Sequence, residues 1–600
     1  RGRAPGGRPG GPARGIIRAL SVKLDEPEAR AAAPEHVPED ILPRRLGRYE
    51  LRRRVGAGGM GVVYAAYDRE SGRTVAIKTL RKLDPGALFR LKHEFRSAAD
   101  LNHPNLAALY QLVSEDDQWF ITMEFVEGMS FVDHVRQGMS DPSGAPPPGR
   151  VRAALSQLAV GVSALHAAGK LHRDLKSPNV LVTPAGRVVI LDFGLVTDDG
   201  PPLPDGGEDG LLGTPATMSP EQAAGNPASP ASDWYAVGVM LYEALTGRLP
   251  FAGPALYVLH AKQRDDPTPP GDLVPGVDPE LAALCMGLLR RDPGARLGGP
   301  EILAALGEAA PSAAESGTRF VGRDELLAAL RDAYQLSTRG QPVCVYVRGR
   351  SGIGKTAVID RFIAELRRDR EAVLLQGRCF ERETVPYKAF DSVLDALAQH
   401  LRRLPNGEAA ALLPREIHDL TRLFPVLARA PVVAELPQRN FSAPDPQEAR
   451  RRAFRGLKEM LARIADRRPL VLRIADLQWG DEDSARLLAE LLAPPDPPSF
   501  LFIGSFRIEE VDAPMLRELR RLGARPELRA LVRDLLVEPL SSEQAEELAL
   551  ARLGRDGDAA RAEARRIARE SGGNPLFVEE LARYLATHRG EAPPEVSLEA

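Results

Sequence analysis

Leu171-His172-Arg173-Asp174-Leu175-Lys176-Ser177-Pro178-Asn179, followed by Asp192-Phe193-Gly194, decides how the first half of this chain is read. Each phrase carries one carboxylate. Such a pair suits a reaction in which one acid faces an attacking hydroxyl and the other holds a divalent cation against phosphate oxygens.

Working upstream, Gly56-Ala57-Gly58-Gly59-Met60-Gly61-Val62-Val63-Tyr64 joins two β-like runs, 49–55 and 61–67. Glycines there let backbone amides approach phosphate without side-chain obstruction, although on its own the phrase also suits an ordinary hairpin turn. Val75-Ala76-Ile77-Lys78 follows on a third run, 74–80. Lys78 can reach the α and β phosphates of ATP from that strand, and a buried lysine needs a partner. Glu94, on a helical stretch over 88–101, supplies that partner, whereas read alone it could be a surface charge. Longer helical patterns cover 151–168 and 234–246, with a Pro/Gly loop over 141–149. Strands first and helices later predict a small β-rich lobe followed by a helical one.

With these motifs in order, residues 47 to about 305 resemble a bacterial eukaryotic-type (Hanks-type) Ser/Thr protein kinase. The resemblance implies a two-lobed fold with ATP in the cleft. Val63 and Ala76 would cover the adenine, Met123 would be the gatekeeper, and the backbone of Glu124 and Val126 would bond the base. Gly56, Gly58 and Gly61 would close over the phosphates. Asp174 would position and partly deprotonate the substrate hydroxyl, Lys176 would steady the γ-phosphate, and Asn179 and Asp192 would hold Mg2+. Lys176 and Gly213-Thr214-Pro215 are the Ser/Thr-type choices. Glu221 would pair with Arg296, and Asp233 would brace the catalytic loop. Between Gly194 and Gly213 the only hydroxyl is Thr197, among Asp198, Asp199, Glu208 and Asp209. A loop carboxylate is read as standing in for a phosphate beside Arg173, or else the loop as an acidic, solvated segment.

The second half alternates strands (343–348, 372–376, 470–474, 500–506) with helices, one of which places Phe454, Leu457, Leu461 and Ile464 on one face. That alternation predicts an open α/β sheet. Gly349-Arg350-Ser351-Gly352-Ile353-Gly354-Lys355-Thr356 follows the first strand and opens a helix over 356–366. This is the setting in which glycine amides and a helix N-terminus bind phosphate, with Lys355 on the β and γ oxygens and Thr356 on Mg2+. With Phe320-Val321-Gly322-Arg323, the strand ending Ala475-Asp476, Gly504-Ser505-Phe506-Arg507 and Gly572-Gly573-Asn574-Pro575, residues 319–600 resemble an AAA-type ATPase of the STAND class. The resemblance implies a nucleotide-controlled switch. The chain departs from it at Ala475, where an acid near magnesium is usual, so ATP binding is expected to survive better than hydrolysis. Asp476 would orient water or shift roles. Arg507 is a candidate phosphate sensor or a plain surface arginine. Asn574-Pro575 is read as shaping a helix start.

The expected fold class is therefore multidomain. Residues 1–45 form a disordered segment, and 46–306 form an α+β two-lobed protein kinase fold, with lobes at about 46–127 and 128–306. A linker at 307–318 precedes an α/β P-loop NTPase, a parallel sheet with flanking helices, over 319–600. The chain has 600 residues and a net charge of −3, which gives no global basic field for nucleic acid or anionic membrane. Arg450-Arg451-Arg452 reads as a solvated helix face. Three cysteines, Cys285, Cys344 and Cys379, lack metal-ligand spacing and argue for a reducing compartment. No apolar run reaches the length of a membrane span, and the cytoplasm is the default. The expected partners are protein substrates bearing Ser or Thr, with self-association through the STAND domain. The alternative is an ATP-sensing scaffold in which the kinase fold is allosteric. The intact set Lys78, Glu94, Asp174, Asn179 and Asp192 argues against it.

Overall fold

A computed structural model describes residues 45–587 except 58–60, 81–83, 116–117, 140, 142, 193–196, 199–214, 308–319, 370–371, 437–444, 526–531 and 556. The expected amino-terminal tail, nearly all of the linker, Gly58 and most of the acidic loop lie outside the described residues.

The amino-terminal lobe is an antiparallel sheet. Its order is Arg45–Leu46, Tyr49–Ala57, Val62–Asp68, Arg73–Thr79, Gln118–Glu124 and Leu109–Glu115. Period-two alternation sorts its side chains. On Arg73–Thr79, Val75 and Ile77 pack with Tyr49 and Phe120 in one cluster, while Ala76 joins the other cluster and Lys78 shares its face. The helix Pro85–Ala98 starts where the Asp84 carboxylate accepts the Ala87 amide at 2.8 Å and Pro85 presets the first turn. Leu88, Leu91, Phe95 and Ala98 recur at helical spacing and bury the helix against the sheet. Each such side chain contributes about 1.5–3 kcal/mol.

The second lobe is helical, built around Pro148–Ala167 and Pro230–Thr246. The latter is apolar nearly all round and is buried accordingly, through Trp234, Tyr235, Val237, Met240 and Leu241. The expected pair forms: Arg296 donates to both Glu221 oxygens at 2.7 and 2.9 Å, with its side chain fully buried.

Beyond residue 319, five parallel strands run in the order Val373–Arg378, Leu470–Ala475, Phe500–Arg507, Val343–Gly349, Val532–Leu536. Both faces are covered. Val343, Val345 and Val347 meet the helices Asp324–Thr338 and Lys355–Asp369 on one side. Leu470, Leu472, Phe500 and Phe502 meet Lys388–Arg403, Pro446–Ala465 and Glu482–Leu492 on the other. Phe454, Leu457, Leu461 and Ile464 all lie in that second cluster, on the face the spacing predicted. The fifth strand was not read from the sequence, because Val-Arg-Asp-Leu-Leu is a half-exposed edge without an apolar run. Three further helices, Ser542–Leu553, Asp558–Glu570 and Pro575–Thr587, form a separate cluster.

Nor did the sequence show the junction between the two halves. Glu383–Thr384, a strand of two residues, pairs in parallel with Leu112 and Val113 on the edge of the amino-terminal sheet. The Leu112 amide donates to the Arg382 carbonyl at 3.0 Å. Two residues carry no periodicity to read. Among the described residues no helix is long and apolar enough to cross a membrane.

Arg296→Ala leaves Glu221 buried and unpaired, and it is expected to destabilise the helical lobe by about 3–5 kcal/mol. Hydrogen exchange over Pro230–Thr246 measures it. Unchanged protection there would remove the pair from the fold's supports.

Candidate functional site

The cleft between the lobes gathers side chains from four elements. Lys78 leaves its strand on the cleft side and donates to both Glu94 oxygens, at 2.7 and 2.9 Å, and to Asp192. Lys78 and Glu94 are 5% and 3% exposed, so neither has water as an alternative partner. Burial alone would lower the lysine, but Glu94 and Asp192 outweigh it and hold the ammonium above its usual range. Burial pushes the Glu94 carboxyl up to about 7 against the pull of Lys78. Burial also acts to raise Asp192, yet Lys78 holds it below the ordinary carboxylate range. Two carboxylates thus face one ammonium. The surplus negative charge, with oxygen donors from Asp192 and the Asn179 amide, fits a hard divalent cation such as Mg2+.

The catalytic loop is fixed from below. Asp233, 2% exposed, accepts the His172 amide at 2.9 Å, the Arg173 amide at 2.8 Å and the His166 ring at 2.9 Å. Burial would raise its carboxyl, but these donors hold it low. They also hold Arg173 at φ 66°, a conformation that costs of order 1–3 kcal/mol. Above this turn Lys176 donates to Asp174 at 2.7 Å, and the Asn179 amide reaches the Asp174 carbonyl at 3.0 Å. The Leu191 amide donates to the Asn179 carbonyl at 2.8 Å, which ties the loop to the residue before Asp192. Lys78, Glu94, Asp174, Lys176, Asn179 and Asp192 are thereby brought together.

At the other end of the cleft, Ala76 pairs with Met123 across the sheet and Val63 with Lys78. Glu124 spends its carboxylate on Arg187 (2.7 and 2.9 Å), and its amide donates to the Ala108 carbonyl (2.8 Å). Val126 is half-buried. Gly56 pairs with Val63. Gly61 has a plain steric reason: a Cβ there would meet the Thr79 carbonyl oxygen at 2.0 Å. Thr197 and Asp198 pair through their backbones with Lys170–Leu171, while the rest of the acidic loop and the question of its carboxylates lie outside the described residues.

The second site forms where Val343–Gly349 turns into Lys355–Asp369. Lys355 folds back onto its own loop and donates to the Gly349 and Arg350 carbonyls at 2.9 and 2.8 Å. Burial lowers its ammonium, and Asp476 opposes that. A cavity of about 690 Å3 is lined by Lys355, Thr356, Arg378, Asp476, Arg507 and Pro575, among others. Asp476 sits at φ 58° just past its strand and accepts from Arg378 at 2.8 Å. Arg507 lies over the Trp479 ring at 5.0 Å, facing this cavity and not lost on the surface. Asn574 does more than start a helix: its amide donates to the Ser351 carbonyl at 3.1 Å, and the Leu576 amide approaches the Gly352 carbonyl at 3.3 Å.

Arg378 is noticed in the sequence only as part of Gly377-Arg378-Cys379 after the second strand, with no role of its own. One nitrogen binds Asp476 and another binds Asp100, at the end of the Glu94 helix, at 2.5 Å. Among 79 lysines and arginines a single arginine carries no signal of its own.

Gly352 adopts φ 72°, and a Cβ there would meet Leu576 at 2.8 Å. Gly352→Ala is therefore expected to weaken nucleotide binding at this second site about tenfold. Fluorescent-nucleotide titration of protein with Lys78 substituted checks it, and undiminished affinity would show that the loop relaxes freely.

Comparison with known proteins agrees with this geometry. Residues 49–306 match the protein kinase domain family, and residues 319–503 match the AAA ATPase domain family. The serine/threonine-protein kinase PknA of Mycobacterium tuberculosis is 37% identical over 305 residues, covering 45% of this chain and 68% of PknA. The serine/threonine-protein kinase PrkC of Bacillus subtilis is 35% identical over 233 residues, 38% of this chain and 35% of PrkC. The chain belongs to the serine/threonine protein kinase family, and it carries an AAA ATPase domain behind its kinase domain.

Proposed function

We propose that this serine/threonine kinase works in the cytoplasm under the control of its second nucleotide site, a STAND-type switch. The observation that carries the reading is the Arg378 guanidinium, bonded at once to Asp476 in the P-loop cavity and to Asp100 beside the Glu94 helix. Protein substrates bearing Ser or Thr and self-association through the STAND domain belong to the same reading.

At the kinase site Lys78, held by Glu94, binds the α and β phosphates of ATP. Asp174 accepts the proton of the substrate hydroxyl as its oxygen attacks the γ-phosphorus. The bond to the ADP oxygen breaks, and Lys176 offsets charge on the transferred group. Asn179 and Asp192 would hold Mg2+, which when bound neutralises phosphate charge. The chain's contribution is mainly placement and preorganised charge.

In the second site Lys355 exchanges its loop carbonyls for phosphate, and Thr356 lies at the helix start beside it. Ala475 removes one of the two usual acids, which supports tight binding with slow turnover. Asp174→Asn protein is expected to bind nucleotide there yet hydrolyse it far below the median enzyme rate of about 10 per second. Fast hydrolysis abolished by a further Lys355→Ala would refute this.

Two measurements test the whole. Asp174→Asn is expected to lower phosphate incorporation into a generic protein substrate at least about a hundredfold. Lys355→Ala, which empties the second site, is expected to change the kinase rate about fivefold or more, and to have no such effect in an Arg378→Ala background. A kinase rate indifferent to Lys355 sinks the switch.

A further inference from the structure

Lys92 and Arg96 lie on the same helix as Glu94 but turn the other way. Lys92 is 3% exposed and donates to Asp391 at 2.5 Å. Arg96 grips Glu383 through two nitrogens at 2.7 and 3.2 Å, and reaches Asp391 at 2.7 Å and Asp395 at 3.2 Å. Glu383 is fully buried, and the Asp391 and Asp395 side chains are 10% and 13% exposed. All three acids belong to the ATPase domain, two of them one turn apart on Lys388–Arg403. Phe89, one turn before Lys92, completes the contact under the Arg429 guanidinium at 3.6 Å. Beside it Glu383–Thr384 extends the kinase sheet.

A surface ion pair would carry little weight, but these charges are out of water and bonded in forks. Two buried cations against three acids make the helix's position costly to change, because each partner left behind is a bare charge. Glu94 can meet Lys78 only while the helix stays where it is.

We propose that Glu383, Asp391 and Asp395 are positioning residues for the kinase reaction, supplied by the ATPase domain. They anchor the outer face of the helix Pro85–Ala98 and so keep Glu94 on Lys78. The neighbouring domain does in cis what a separate activating subunit would do for an isolated kinase. The inference rests on the kinase activity and is independent of nucleotide in the second site.

The test uses the full chain. Arg96→Gln is expected to lower the kinase kcat about tenfold, since a displacement near 1 Å can cost more than that. Nucleotide affinity at the second site should be kept. Arg96→Lys, which retains the charge and loses the fork, should recover at least half of the lost rate. The deciding readout is the Glu94→Gln background, where nothing is left for the anchor to position. There Arg96→Gln should cost less than about twofold, because coupled residues are non-additive. Arg96→Gln at the wild-type rate, or an equal loss in both backgrounds, would overturn the proposal. If Arg96→Gln does not fold, Arg96→Lys and Asp391→Asn are run through the same comparison. Wild-type protein no more active than Asp174→Asn would instead refute the kinase reading itself.

Discussion

A single ammonium organises the kinase half of this molecule. Lys78 lies almost out of water, where an unpaired charge costs several kcal/mol. The acids that offset it come from a helix and from the segment after Val188–Ile190. Three pieces of chain far apart in sequence must therefore meet at one point. The lobes, the docked helix and the turn at Asp192, with its φ of 64°, are the arrangement that lets them do so. The same surplus of negative charge suits the cleft to a divalent cation.

That helix is unusual in its load. Lys92, Glu94 and Arg96 are all charged and all buried or nearly so. Successive alternate residues on a helix are rotated by about 200°, so Glu94 and its two neighbours face opposite sides. The apolar face of Leu88, Leu91, Phe95 and Ala98 holds the helix to the sheet but is indifferent to small rotations. The charges are not, since ion pairs in forks are directional. One side is satisfied within the kinase, and the other by acids of the ATPase domain together with the Trp119 ring over which Lys92 lies. The active geometry is thus a property of the two domains together.

Much of this was legible in the sequence, for reasons that can be named. Strand and helix positions followed from period two around Val75–Lys78 and from helical spacing at Phe454, Leu457, Leu461 and Ile464. The site residues were legible because phosphoryl transfer demands charged types at fixed intervals along a local stretch, as at Asp174, Lys176 and Asn179. What escaped was whatever depends on contact between remote segments. Lys92, Arg96 and the three acids they meet drew no reading from the sequence at all. Charge type gives no hint of burial until the partner is known. Glu383–Thr384 was too short to show a period, and Val532–Leu536 too exposed.

Arg378 connects these two themes in electrostatic terms. Its guanidinium lines the P-loop cavity while it spans Asp476 and Asp100. Asp476, just past the strand at left-handed φ, turns its carboxylate to that arginine. Phosphate placed beside Lys355 brings further negative charge within range of the same guanidinium. The Arg378 and Asp100 side chains are 40% and 61% exposed, so water and salt screen part of that charge. Phosphate there would compete with Asp100 for Arg378, which joins the P-loop cavity to the end of the Glu94 helix. The acidic anchor at Arg96 and the Arg378 bridge are thus two separate attachments of this helix and its end to the ATPase domain.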